Sequence, residues 1–367
     1  MMRPFRLIAL ISWSTSALFV FLFKYYDIEN KIMMMDDGLP KMMMNCSDVL
    51  ARVDPPFPAL LIDERIIGRL NRTDCGTTPT QIRLGVDMEL FPSVGKKNYS
   101  YYEIVYYQNL TDKDYLRFNS SPTRIIPRIP IWVHGNLSIP SDTKRFLEFW
   151  KRSKLVKCRG MKVGRNTQSR ILPIETTLQA MSSLMSYITN FDIYPFLNGG
   201  TLLGWYRECG IIPHTTDVDF AALIEEHNPD LLTNLQNNGT KFRLTRMLGR
   251  VNDSYEFTFK PLDSDRPSVD LFWMYSSEND SWVGGTSSDG SKYKYTYPKH
   301  NETCAGDLLG HIFWITCSPE ETIVMEYGQK WYIDHPSSQF SWSSSHFNVK
   351  PNGRWSKEEM KNVYRVF

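Results

Sequence analysis

The chain carries almost no net charge. Lys and Arg number 42 against 40 Asp and Glu, leaving +2 over 367 residues. Nucleic-acid binding needs a basic field, so that class is excluded, and any anionic ligand must be met by a local site. Cysteine metal patterns are missing too. The six cysteines, Cys46, Cys75, Cys158, Cys209, Cys304 and Cys317, include no C-x-x-C pair and no Cys/His spacing, which argues against structural zinc. Long apolar runs are nearly absent, the exception being Leu7–Phe23, LIALISWSTSALFVFLF, without one charge. No A-x-A-like cleavage pattern follows it, which disfavours a removed signal peptide. Residues 51–165 contain no catalytic constellation.

What is present begins with compartment. As a helix, Leu7–Phe23 would span roughly 26 Å, short for a plasma membrane and suited to thinner early-secretory bilayers. Arg3 and Arg6 precede it, so residues 1–6 are expected in the cytosol, 7–23 as a transmembrane signal anchor, and the rest in the lumen. The expectation is a single-pass type II protein of the Golgi or ER membrane. Asn-x-Ser/Thr occurs at Asn45, Asn71, Asn98, Asn109, Asn119, Asn136, Asn238, Asn252, Asn279 and Asn301. All but Asn119, which Ser120-Ser121-Pro122 follows, are expected to be glycosylated. An even cysteine set in an oxidising lumen favours disulfides. Cys304 and Cys317 are expected to bracket a loop and pair, with the other connectivities open.

Residues 24–50 read as a stem containing two Met triplets, Met33–Met35 and Met42–Met44. Soft-metal binding is the alternative use of such tracts, but no His or Cys pattern repeats with them. Residues 51–165 read as a small mixed α/β accessory region. Gln81–Phe91, Tyr99–Gln108 and Arg124–His134 are strand-like, and a helix after Ser141 places Phe146, Phe149 and Trp150 on one face. The polar stretch KVGRNTQS marks a boundary, and residues 166–367 form the candidate catalytic domain. There Leu178, Met181, Leu184, Met185 and Ile188 repeat at helical spacing, a core-facing stripe. Strands are expected at Phe242–Arg250, Tyr255–Lys260, Val269–Tyr275 and Lys292–Tyr297, and a helix near Glu320–Gln329.

The chemistry concentrates in FLNGGTLLGWYRECGIIPHTTDVDF, Phe196–Phe220. Gly199-Gly200-Thr201 joins a short strand to a helix. Glycines there let backbone N–H groups approach an anion, at the positive end of the helix dipole. A second copy, Gly284-Gly285-Thr286, reads as a hairpin turn without that context. On a strand, Asp217 and Asp219 face the same way. Two such carboxylates repel unless a divalent cation lies between them, and Mg²⁺ or Mn²⁺ favours oxygen donors and phosphate. Asp270, opening the apolar strand VDLFWMY, is the expected third ligand. Asp217, Asp219 and Asp270 are thus the candidate metal-binding and catalytic residues; Gly199, Gly200, Thr201 and Arg207 are the candidate phosphate-binding residues. Arg207 could instead pair with a carboxylate. His214 could touch substrate, act as a base, or hold a turn. A glycine loop, a paired-aspartate strand and a third aspartate describe a polymerase-β-type nucleotidyltransferase centre with two cations.

GGTLLGWYRECGIIPHTTDVDFA resembles the central motif of the LicD/fukutin family, and VDLFWMY and EYGQKW (Glu326–Trp331) are similar to its later pattern. The resemblance covers about 170–335 and is nearer the fukutin branch. The bacterial choline-phosphate branch carries a further acidic residue where Thr215 and Thr216 stand here. It implies transfer of a phosphorylated alcohol, such as ribitol phosphate, from a CDP-activated donor to a glycan on a glycoprotein, with CMP leaving. The expected fold is α+β, with an N-terminal transmembrane helix, a small mixed α/β accessory region and a C-terminal polymerase-β-like nucleotidyltransferase domain. Alternatives are a D-x-D glycosyltransferase using a UDP- or GDP-sugar, or a non-catalytic fukutin-like scaffold that positions partner glycosyltransferases.

Overall fold

The computed structural model describes residues 53–70, 81–94, 99–165, 170–236 and 241–367. These residues divide into two compact units, one formed by those up to Tyr107 with Ile129–Glu148, the other by Gln108–Arg128 and those from Phe149 onward. In the first unit, strands run in the order Tyr102–Gln108, Ile82–Asp87, Ala59–Leu61, Leu137–Pro140 and Ile131–His134. Ile82, Leu84 and Val86 alternate along one face and are fully buried, the period-2 pattern of a half-covered sheet.

The second unit holds the candidate site. Its elements are α1 (Ile174–Thr189), β1 (Phe196–Leu197), α2 (Gly199–Glu208), β2 (Asp217–Leu223), α3 (Asp230–Gln236), β3 (Phe242–Arg250), β4 (Asp253–Pro261), β5 (Ser268–Ser276), β6 (Asp280–Thr286), β7 (Ser291–Pro298), β8 (Thr303–Leu308), β9 (His311–Thr316), α4 (Pro319–Tyr327), β10 (Val349–Arg354), α5 (Lys357–Val363) and β11 (Tyr364–Val366). The eleven strands form one sheet in the order β8-β9-β1-β2-β5-β4-β3-β11, with β6, β7 and β10 continuing from β5. The α1 stripe is buried as its spacing predicts.

The expected fold class needs correction. Strands and helices are not segregated as α+β implies; the chain is mixed α/β with two large sheets. Helices are interspersed among the strands before β3 and after β9, and β2–β5 and β9–β1 are parallel within an otherwise antiparallel sheet. Parallel neighbours require crossovers rather than hairpins, and only long-range pairing reveals them. Nor does the fold support an N-terminal transmembrane helix. Among the described residues no helix is long and apolar enough to cross a membrane; Leu7–Phe23 and the stem lie outside those residues.

Two disulfides are formed, Cys158–Cys209 and the expected Cys304–Cys317; Cys46 and Cys75 lie outside the described residues. The second closes the β8–β9 hairpin rather than a loop. Replacing Cys304 and Cys317 by serine removes a cross-link of sequence separation 13. A loss of about 3 kcal/mol is expected on chain-entropy grounds, read as a lower denaturant midpoint. The sequon asparagines Asn109, Asn119, Asn136, Asn252, Asn279 and Asn301 are all exposed, while Asn45, Asn71, Asn98 and Asn238 lie outside the described residues.

Candidate active site

The DVDF alternation makes β2 a strand with Val218 and Phe220 in the core. Asp217 and Asp219 therefore share the opposite face. Parallel pairing with β5 sets Asp270 beside Asp219, and antiparallel pairings set Thr258 beside Asp270 and Arg246 beside Thr258. Asp219, Asp270, Thr258 and Arg246 thus form one row across four adjacent strands. One carboxylate oxygen each from Asp217, Asp219 and Asp270 lies within 4.8 Å of the others. A second cluster, Glu302, Cys304 and Cys317, is no cation site, because its cysteines are bonded to each other.

The glycine turn lies against this triad. Gly199 has φ +51°, and a Cβ there would come 3.0 Å from Asp219 Oδ2. A side chain there would press on the Asp219 carboxylate and sit in the left-handed region, which is the reason for glycine at this point. The Gly200 N–H, in the first turn of α2, donates to the Asp219 carboxylate. Thr201 is used differently from the expectation: its Oγ1 accepts the Asp219 backbone N–H at 2.8 Å and so struts α2 against β2.

Arg207 is 2% exposed although it lines the pocket. It donates to the carbonyls of Trp331 and Ile333 at 3.2 and 3.4 Å and to Glu208 Oε1 at 2.6 Å. Asp334 joins this network through Arg165 Nε at 3.0 Å and His214 Nε2 at 3.1 Å. His214 Nδ1 meets Ser337 Oγ at 2.8 Å. Arg207 and His214 therefore brace the segment after α4, and Arg207 pairs with the Glu208 and Asp334 carboxylates, as the alternative expected from the sequence has it, rather than with the aspartate triad.

The cation beside the triad is Arg246, which sequence reasoning missed. Its guanidinium lies 2.9 Å from Glu256 Oε1 and 3.5 Å from Asp270 Oδ1. Thr258 Oγ1 donates to the same Asp270 oxygen at 2.5 Å. One signal was available: in YEFTFK, Glu256 and Thr258 alternate with Phe257 and Phe259, so polar side chains repeat on the face of a strand whose other face is core.

Burial dominates the electrostatics, and like charges add to it at Asp219 and Glu256. Burial, then the charges of Asp217, Asp270 and Glu326, raise the Asp219 carboxyl well above the usual range, against the Gly200 N–H. Asp217 and Asp270 are raised chiefly by burial, with Arg246 opposing. Glu256 is pushed up to about 8 by burial and by the charge of Asp270, again against Arg246. These acids bind protons more tightly folded than unfolded. Their contribution is present at low pH and is lost as pH rises through the folded values. The metal-free protein is accordingly expected to melt at a higher temperature near pH ~5 than near pH ~8, as calorimetry would measure.

The triad opens into a pocket of about 1370 Å³, larger than the few hundred to roughly 1,000 Å³ common for one small ligand. Its lining includes the aromatic side chains of Tyr295, Tyr327, Trp331, Phe340 and Trp342. Gly285 and Thr286 line it as well. Contrary to the hairpin-turn reading, Gly284-Gly285-Thr286 is strand β6. A Cβ on Gly284 would come 2.1 Å from Ser254 Oγ, and one on Gly285 3.0 Å from the Trp342 ring.

Two family models match the chain. One, described as W02B3.4-like, N-terminal domain, matches residues 45–157. The other, LicD/FKTN/FKRP, nucleotidyltransferase domain, matches residues 192–303, which include the glycine turn and all three aspartates. The Caenorhabditis elegans protein W02B3.4 is 44% identical over 330 residues, 88% of this chain and 85% of its own length. T07A5.1 from the same animal is 40% identical over 341 residues, 90% of each. The Mus musculus ribitol-5-phosphate transferase FKTN is 30% identical over 241 residues, 63% of this chain and 51% of its own length.

Proposed function

Because the chain belongs to the LicD/fukutin-like family, we propose that it transfers a phosphorylated alcohol, ribitol phosphate or a near relative, from a CDP-activated donor to a glycan hydroxyl on a glycoprotein. The observation that carries this reading is the convergence of Asp217, Asp219 and Asp270 within 4.8 Å at the start of α2. A diphosphate beside three carboxylates is strongly repelled unless cations intervene. An all-oxygen donor set at this spacing fits Mg²⁺ or Mn²⁺. When bound, such ions would neutralise the donor's phosphates and polarise the phosphorus under attack.

The remaining roles fall to the protein. Asp217 and Asp219 would hold the cations, with the Gly199–Gly200 turn beside them. Thr258 and Arg246 both engage Asp270 Oδ1, leaving Oδ2 to take the proton of the acceptor hydroxyl. That hydroxyl oxygen bonds to the phosphorus bearing the alcohol, the bridging P–O bond breaks, and its electron pair leaves with CMP. The pocket's volume accommodates donor and acceptor together. Two disulfides and six exposed sequon asparagines support a secretory-lumen location, and exposed glycosylation sites are part of the proposal.

The test is CMP release from CDP-ribitol, CDP-glycerol and CDP-choline with Mn²⁺ and a glycan acceptor. Acceptor-dependent release abolished by EDTA is expected. Turnover of UDP- or GDP-sugars in place of every CDP-alcohol would refute the reading.

A further inference from the structure

The pocket is lined by three Lys or Arg side chains, Arg207, Arg246 and Lys330. Arg207 is spent on the network beneath the segment after α4. Among the described residues Arg246 is the one Lys or Arg that reaches a triad carboxylate, Asp270 Oδ1 at 3.5 Å. Its guanidinium is held on two sides. Nε donates to Thr258 Oγ1 at 3.1 Å, and Nη2 donates to Glu256 Oε1 at 2.9 Å. Both partners are buried, on β4 beside the strand that carries Arg246. Nη1 is different. It makes no hydrogen bond among the described residues, yet it is not sealed from solvent, and the side chain is 37% exposed. A guanidinium fixed through Nε and Nη2, with its Nη1 hydrogens open, is a preorganised pair of donors. Such donors lower a barrier most where negative charge gathers.

The proposed reaction fixes where that charge lies. If Asp270 Oδ2 takes the proton of the attacking hydroxyl, the hydroxyl oxygen lies within hydrogen-bond reach of Oδ2. The phosphorus under attack then lies about 3–3.5 Å beyond that oxygen. Because attack is in line, the leaving phosphate is on the far side of that phosphorus, and the non-bridging oxygens of the transferred phosphate stand out to the side. Arg246 sits against the other oxygen of the same Asp270 carboxylate. Its nearest phosphate is therefore the one being transferred, not the one that departs with CMP.

Resting on the reaction proposed above, we propose that Arg246 is a phosphate-binding residue whose Nη1 donates to a non-bridging oxygen of the transferred phosphate. It takes the clamp role that the buried Arg207 does not fill.

The experiment is calorimetric titration of the full chain with CDP and with CMP in the presence of Mg²⁺. CDP has a phosphate at the transferred position and CMP has none, so the comparison isolates this contact. The wild-type chain is expected to bind CDP more tightly than CMP. Arg246→Gln should weaken CDP about 30-fold and leave CMP within about twofold, the retained CMP affinity reporting a folded site. Arg246→Lys keeps a charge without the planar fork and should weaken CDP about fivefold, with CMP again unchanged. It is the deciding variant if Arg246→Gln does not fold. Equal wild-type affinities, unchanged CDP affinity in the deciding variant, or an equal loss of CDP and CMP each overturns the assignment; the last would confine Arg246 to holding Asp270. If the wild-type chain binds neither nucleotide, the proposed reaction itself falls, and the assignment with it.

Discussion

Asp219→Asn is expected to abolish transfer, with a fall of at least about 10³-fold in kcat/KM, while making the metal-free protein more stable. Both effects have one origin. Asp219 is the carboxylate on which burial and three neighbouring negative charges act together. Without cations that arrangement opposes folding, and a neutral amide of the same shape relieves it by about 1–2 kcal/mol. The same charge is what a divalent cation requires, so the variant loses the cation and with it the phosphate subsite. Melting curves with and without Mn²⁺ separate the two effects. The wild-type curve should move up with added metal as mass action demands, and the Asp219→Asn curve should begin higher and stay put. A variant that melts lower than wild type without metal would show that Asp219 supports the fold instead of straining it.

The second large effect is on stability. Arg207→Leu should cost about 3–5 kcal/mol and lower the melting temperature by roughly 10 °C. The guanidinium is almost wholly buried and engages Glu208, Asp334 and two carbonyls of the segment after α4. Its removal leaves two carbonyls without their donor and Glu208 and Asp334 with Arg165 as the shared cation. Asp334 is opposed by burial but held below the usual carboxylate range by His214 and Arg165, so it stays charged and compounds the loss. Arg207→Lys keeps the charge but not the planar fork and should recover less than half of the loss. The phosphate-clamp role expected from sequence makes the opposite forecast: unchanged melting with a large fall in nucleotide affinity. Thermal melting and CDP titration on one sample decide between them.

Much of the site was legible from spacing. A two-residue interval between Asp217 and Asp219 on a strand dictates a common face, whatever the strand pairs with. Gly199 announced a backbone that must pass close to something, and the structure supplies the reason in the Asp219 carboxylate 3.0 Å from where a Cβ would stand. The same reasoning misjudged Gly284 and Gly285, where the close object is Ser254 and Trp342. A glycine pair signals proximity without naming the neighbour.

The division between the two levels follows the range of the forces involved. Periodicity along the chain was enough for the α1 stripe, the inward Val218 and Phe220, and the direction of each aspartate, because these depend on 3.6- and 2-residue repeats within one element. Even the Cys304–Cys317 bond needed only nearness along the chain. The choice of β5 as the parallel neighbour of β2 did not, nor did the register that lines Asp270, Thr258 and Arg246 up with Asp219. Strand partners far apart in sequence are selected by which buried faces pack together, and a shift of one residue would turn every side chain over. The burial of Arg207 beneath Trp331 and Ile333 belongs to that second level as well: it depends on a segment more than a hundred residues away folding back over α2.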